Sequence, residues 1–162
     1  MIALTLFLTV IISLTTVSGE CPNGWIRFDK SCYRLFRQSP QSWPEAVFAC
    51  EQHDAYLASI ETKVENGHLQ ELIAESNVLK TDNVWIGLSD VREEGVFVWE
   101  STRQTATFLP WGKHEPNQPA DLQEDCVMLF GRQEHTFADA ACEIKYSYLC
   151  ERPLNGVLPV VG

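Results

Sequence analysis

The sequence predicts an α+β domain from three observations. Two helical segments each open with a capping box, a series of short apolar strands separated by long polar loops follows, and six cysteines are available to staple them. At 162 residues, with 45% apolar and 21% charged side chains, the chain suits one globular core.

The chain opens with an uncharged apolar stretch from Ile2 to Val17, diluted by Thr5, Thr9, Ser13, Thr15 and Thr16. It is shorter than the roughly 20 strongly apolar residues that a membrane span requires, and it stops at the small-residue pattern Val17-Ser18-Gly19. Residues 1–19 therefore read as a signal peptide cleaved after Gly19, which makes the mature protein secreted and extracellular. A domain over residues 20–152 and a short tail over residues 153–162 follow. All six cysteines, Cys21, Cys32, Cys50, Cys126, Cys142 and Cys150, fall after that cleavage point. An even number in a secreted chain implies three disulfides, although the count alone leaves the pairing open.

After Cys21, the segments Gly24 to Phe28 and Ser31 to Leu35 flank a turn at Asp29-Lys30 and read as a hairpin. A first helix begins at Ser42, with Glu45 three residues on and Pro44 in the first turn, where a missing N–H costs little. Trp43, Ala46, Val47 and Cys50 share its inner face. A second helix begins at Thr62, again with a glutamate, Glu65, three residues on, and Leu69, Leu72 and Ile73 form its buried stripe. Asn66-Gly67 is a competing turn signal inside it. Strands follow at Val84 to Leu88, Val96 to Glu100, Cys126 to Phe130, Thr136 to Cys142 and Tyr146 to Glu151. The intervening region from Ser101 to Asp125 is mostly loop, carries Pro110, Pro116 and Pro119, and holds Trp111 beside a cluster of acids. A loop of that length on a fixed scaffold points to function.

The formal charge of −10 argues against nucleic acid, which needs a basic face. No later segment is long and apolar enough for membrane insertion. The absence of Cys-x-x-Cys and His-Glu-x-x-His argues against zinc and redox chemistry. The four histidines, His53, His68, His114 and His135, make no nucleophile-base signature, and no Gly-x-Ser-x-Gly or phosphate loop is present. The chain therefore reads as a binding protein and not an enzyme.

Trp85-Ile86-Gly87-Leu88, Glu115-Pro116-Asn117, Glu124-Asp125-Cys126, Asp139-Ala140-Ala141-Cys142 and Tyr148-Leu149-Cys150-Glu151 occur in the order and spacing of a C-type lectin domain. The resemblance covers the chain from Cys21 to Glu151 and is closest in kind to small secreted members, including the perlucin-like and invertebrate immune lectins. It implies the C-type lectin fold, with two helices, antiparallel sheets and a long ligand-binding loop region. It also implies the pairings Cys21–Cys32, Cys50–Cys150 and Cys126–Cys142, the first belonging to the family's long form.

The resemblance further implies a calcium ion held by Glu115, Asn117, Glu124 and Asp139, the same residues contacting the sugar. Ala138 stands where the family carries an Asn, and so lacks one metal oxygen and one donor. A second calcium position matches Asp90, Glu94, Glu124 and Asp125, with Gln118 departing from the family's Asp and Asp121 a substitute for it. The residue types suit the chemistry. Calcium takes about six to eight oxygens and admits water or hydroxyl among them, so an open carboxylate and amide cage binds ion and sugar together. Glu115-Pro116-Asn117 is the family's mannose-type signature, covering mannose, N-acetylglucosamine and fucose, and its proline is expected to be cis.

The leading expectation is a calcium-dependent lectin recognising glycans on microbial or cell surfaces in innate immunity. One shallow site binds a monosaccharide weakly, so avidity calls for repeated ligands or a homo-oligomer. Two rivals remain open: an acidic protein of biomineral matrix, and a calcium-independent protein-binding module, which Ala138 favours. Trp85, Trp99 and Trp111 read as packing residues, and His114 as an exposed neighbour of the site.

Overall fold

The computed structural model describes residues 19–76, 82–117 and 123–159. The segment expected to be a signal peptide, up to Ser18, and also Gln118 and Asp121, lie outside the described residues.

Strands β1 (Ile26–Phe28) and β2 (Ser31–Gln41) form the expected hairpin, with Asp29 of its turn at φ 47° and the Cys21–Cys32 disulfide tying the segment before β1 to the start of β2. Helix α1 (Trp43–Glu51) starts where the capping box places it. The Glu45 carboxylate accepts the Ser42 backbone N–H at 3.0 Å, and Trp43, Ala46 and Cys50 turn inward. A two-residue strand β3 (Tyr56–Leu57) follows, too short to leave an alternation in the sequence. Helix α2 (Lys63–Glu75) is capped by Thr62, whose Oγ1 accepts the Glu65 N–H at 3.2 Å. It runs through Asn66-Gly67 without a break because burial of Leu69, Leu72 and Ile73 outweighs the local turn preference.

Strand β4 (Val84–Ser89) is buried along its whole length, and β5 (Val98–Trp99) pairs with its end. Strand β6 (Cys126–Phe130), a short 3-10 turn (Gly131–Gln133), β7 (Thr136–Ala140) and β8 (Tyr146–Pro153) complete the chain. The second of the five strands expected after the helices, Val96 to Glu100, shrinks to two residues. The fourth stops before Cys142, where the chain turns into its disulfide.

The expectation of antiparallel sheets needs one correction. All strands join in a single sheet of order β1-β2-β8-β4-β6-β7, with β3 on β8 and β5 on β4. The pairing of β4 with β8 is parallel, Val84 facing Ser147 and Trp85 facing Tyr148. It bridges two otherwise antiparallel groups, so the sheet is mixed.

Gly87 lies where β4 passes β3. A Cβ on it would stand 2.4 Å from the Leu57 carbonyl oxygen, so no larger residue allows the approach that lets the Gly87 N–H donate to Ala58 O at 2.9 Å. One apolar cluster fills the space between α2 and the sheet, with Ile73, Ile86, Leu129 and Phe137 at its centre. The other, beneath α1, gathers Trp43, Cys50, Trp85 and Met128. The Trp43 indole N–H donates to Ile86 O at 2.8 Å, tying that helix to β4. The remaining disulfides, Cys50–Cys150 and Cys126–Cys142, are those the resemblance implies, with Cα–Cα distances of 5.5 and 5.2 Å.

Glu151, one residue past Cys150 on β8, is a buried carboxylate holding three segments together. Its Oε1 accepts the Ser31 hydroxyl at 2.6 Å, its Oε2 accepts the Ser59 N–H at 3.0 Å, and the Tyr56 hydroxyl also bonds to it. Burial, with Glu65 nearby, pushes its pKa up to about 7 despite those bonds. The fold therefore retains a proton that the unfolded chain gives up at ordinary carboxylate pH. This contribution to stability is fully present below the unfolded value and is lost as pH rises through about 7. Melting temperature measured in EDTA should fall between pH 5 and pH 8, by an amount corresponding to about 3 kcal/mol at most. Glu151→Gln should flatten that fall, and an equally steep decline in the variant would contradict this role.

Candidate functional site

The long loop reaches its destination by copying strand pairing without being a strand. Phe137 N–H donates to Pro110 O at 3.0 Å, and Gly112 N–H donates to Phe137 O at 2.8 Å, so the loop is hydrogen-bonded to β7 just before its acidic segment. Trp111 is half-buried between Phe97 and Phe137, at centroid distances of 4.8 and 6.1 Å. Trp85 and Trp99 are fully buried, so these three tryptophans serve packing.

Beyond Gly112 the chain turns through His114, which is exposed at φ 70°, and enters a cis Glu115–Pro116 peptide, as expected. Asn117 is then gripped from two sides. Its backbone N–H donates to Asp139 Oδ1 at 2.9 Å, and its side-chain Nδ2 donates to Glu115 Oε2 at 2.6 Å. Asp139 projects from β7, almost buried, with its carboxyl also in hydrogen-bond contact with that of Glu115. Glu124, just ahead of β6, is close enough to Asp139 for the two charges to repel. All four residues expected at the primary position are thus neighbours.

The electrostatics are those of crowded acids. Burial, and then the facing Glu115, pushes the Asp139 carboxyl up to about 6, against the lowering effect of the Asn117 N–H. Partial burial and Asp139 raise Glu124 as well. Ala138 is fully buried opposite Met128 and offers no oxygen. Among the described residues, no three His, Cys, Asp or Glu side chains form a ready group for a metal ion. The acids meet in pairs, with the Asn117 amide set against one of them.

The second expected set also assembles, with one change of membership. Asp90 is buried at the end of β4. Its Oδ2 accepts the Gly95 N–H at 2.8 Å, and its backbone N–H donates to Asp125 O at 3.1 Å. Burial raises Asp90, and the charges of Glu94 and Asp125 add to the effect. Asp125 is raised by burial, Glu94 and Glu143. Glu124 stands with Asp139 in the first group, while Glu143 joins the second. Sequence reasoning passed over Glu143, although the signal was there. Asp125 precedes Cys126 and Glu143 follows Cys142, so the disulfide between those cysteines brings the two acids together.

The donor chemistry suits a hard cation in both places. Every side chain in the two groups presents oxygen, and Asp90 Oδ1 is buried with no hydrogen-bond partner.

The family model for the Lectin C-type domain matches residues 39–152. The chain is 32% identical over 157 residues to a C-type lectin mannose-binding isoform of Notechis scutatus scutatus, covering 90% of this chain and 96% of that one. Among solved structures it is similar to the carbohydrate-recognition domain of cow CD23, determined in the presence of a GlcNAc2Man3 oligosaccharide. There the TM-score is 0.70 and the identity 32%, over 83% of this chain and 96% of that one. It shares its fold with a calcium-independent type II antifreeze protein at a TM-score of 0.69 and 21% identity, over 83% and 95% of the two chains.

Crowding of Asp139 against Glu115 and Glu124 carries a direct consequence for the cation-free protein. Asp139→Asn keeps an oxygen for the Asn117 N–H and removes one of the repelling charges. In EDTA at pH 7.5 it should raise the melting temperature by a few degrees, corresponding to about 1 kcal/mol. A lowered melting temperature would show that the acids do not destabilise one another.

Proposed function

This chain belongs to the C-type lectin family, and from that premise we propose that the loop cluster around Asn117 binds a sugar of mannose type through calcium. The family is one of carbohydrate-binding proteins and not of enzymes. What supports the proposal is the double hold on Asn117 by Glu115 and Asp139, with Glu124 close to Asp139.

Glu115, Asn117, Glu124 and Asp139 would hold the ion, supplying the negative oxygens it requires. When bound, calcium supplies open coordination positions that accept adjacent sugar hydroxyls. The side chains complete the grip. The Asn117 Nδ2, which donates to Glu115 in the free protein, is a donor to a hydroxyl, and the Glu115 carboxylate accepts from one. Asp90, Glu94 and Asp125, with Glu143 beside them, would hold a second ion that braces the base of the loop. The orphaned Asp90 Oδ1 supports that assignment. The mannose-binding name of the snake relative and the oligosaccharide present with cow CD23 favour the same ligand class.

In this reading the protein is secreted and recognises glycans on microbial or cell surfaces as part of innate defence. Among the described residues no helix is long and apolar enough to cross a membrane. A calcium-independent module that binds protein is the second reading. It is favoured by buried Ala138, which removes one expected oxygen, and by the shared fold of the antifreeze protein.

Calorimetric titration with calcium should give a dissociation constant of about 0.1–1 mM, the range of extracellular calcium modules. Mannan retention should depend on calcium. Glu115→Gln should reduce both by roughly tenfold or more, through loss of one charged ligand. Mannan retention that persists in EDTA, or a titration without calcium heat, would overturn the proposal in favour of the second reading.

A further inference from the structure

The loop that carries Glu115 and Asn117 runs parallel to β7 only at Trp111, opposite Phe137, and among the described residues the Gly112 N–H makes the last backbone hydrogen bond between the two. One side chain extends that support by a residue. The Gln133 Oε1 accepts the Lys113 backbone N–H at 2.5 Å, and its Nε2 donates to the Lys113 carbonyl at 3.3 Å. A single amide thus meets both backbone groups of one residue, as a neighbouring strand would. The fit is close. A Cβ on Gly112 would stand 2.8 Å from both Gln133 Oε1 and Thr136 Oγ1, so the loop lies directly on the two side chains.

Gln133 is itself anchored. Its carbonyl accepts the Thr136 hydroxyl at 2.9 Å. The residues after it, Glu134 and His135, both adopt left-handed backbone conformations, with φ of 56° and 58°. Helix α2 secures that turn, since Gln70 Nε2 donates to Glu134 O at 2.9 Å and to His135 O at 3.3 Å. At the start of the turn, Gly131 N–H donates to Asn83 Oδ1 at 3.2 Å. A continuous set of contacts therefore runs from α2 through the turn to Lys113. Two residues later Glu115 N–H donates to Gly112 O at 3.1 Å, closing the bend that aims the Glu115 and Asn117 side chains.

We propose that Gln133 is a positioning residue of the sugar site, its amide fixing Lys113 so that Glu115 and Asn117 are held in binding geometry before any ligand arrives. This rests on the calcium-dependent reading of that site. Preorganisation of this kind raises affinity by removing the cost of ordering a loop on binding. The hydrogen bonds of the Gln133 side chain go to the Lys113 backbone, so it acts on Glu115 and Asn117 through the chain between them.

Two variants and two readouts test it. Gln133→Met keeps the length and removes both hydrogen bonds, whereas Gln133→Glu keeps the acceptor for the Lys113 N–H. Amide hydrogen exchange is followed at Lys113 and Glu115 in the cation-free protein, with Ala106, whose N–H donates to Phe97 O at 2.9 Å, as the internal reference. Calcium titration and mannan retention are measured on the same samples.

Gln133→Met should speed exchange at Lys113 and Glu115 by roughly tenfold with Ala106 unchanged, and weaken calcium binding by roughly tenfold, the scale seen when a partner supporting a metal ligand is lost. Gln133→Glu should restore protection at Lys113. A charge effect alone would strengthen calcium binding without that restoration. Unchanged exchange in Gln133→Met overturns the clamp. Faster exchange with wild-type calcium and mannan binding overturns the positioning role. Wild-type protein that binds neither calcium nor mannan overturns the sugar-site reading and the positioning role with it, while the exchange data still judge the clamp.

Discussion

The crosslink between Cys50 and Cys150 is the constraint on which the other contacts depend. It joins α1 to β8, the strand that pairs with β2, β3 and β4, and it closes a loop spanning 100 residues. A closure of that length removes more freedom from the unfolded chain than either of the shorter disulfides, which span 11 and 16 residues. With β8 fixed, Trp43 can reach the Ile86 carbonyl and Trp85 can donate to the carbonyls of Gln41 and Ile144, so both indoles pin backbone from different segments. A small sheet with one two-residue parallel contact gains its order from these crossings more than from strand length.

The binding face exploits that rigidity by accumulating charge. Asp139 and Asp90 are both buried acids at strand ends, places where a carboxylate is costly unless something compensates. Backbone N–H groups of Asn117 and Gly95 compensate in part, and neighbouring acids undo some of that gain. The free protein thus stores unfavourable repulsion where a cation is expected to relieve it. The Cys126–Cys142 disulfide holds both groups in place, because it fixes the strands that end in one set and bring Asp125 and Glu143 together in the other.

Much of this was legible in the residues. Ser42 with Glu45 and Thr62 with Glu65 mark the helix starts, because a capping box is a local device with a fixed spacing. The buried stripe of α2 follows from helical periodicity, and the buried β4 from its continuous apolar run Val84 to Leu88. The disulfide pairing and the ligand set came only with the family resemblance, since pairing is a matter of tertiary distance. What escaped the sequence was contact between distant segments. Strand β3 has two residues, the parallel β4–β8 bridge leaves no pattern, Glu143 becomes relevant only once its disulfide is drawn, and Gln133 is an ordinary polar residue until the loop is laid against it.

Trp111 stands four residues before Glu115 on the same loop, half-exposed and set edge-on against Phe97 and Phe137. Trp43, Trp85 and Trp99 are shielded in the interior, and Trp25, also half-exposed, packs against Phe36 and Arg152 instead of the loop. An indole at such a partly wetted boundary changes its emission when the polarity around it changes, whereas shielded indoles supply a steady background. The protein thus contains a built-in optical probe, placed where rearrangement of the recognition loop can be followed by light without any added label.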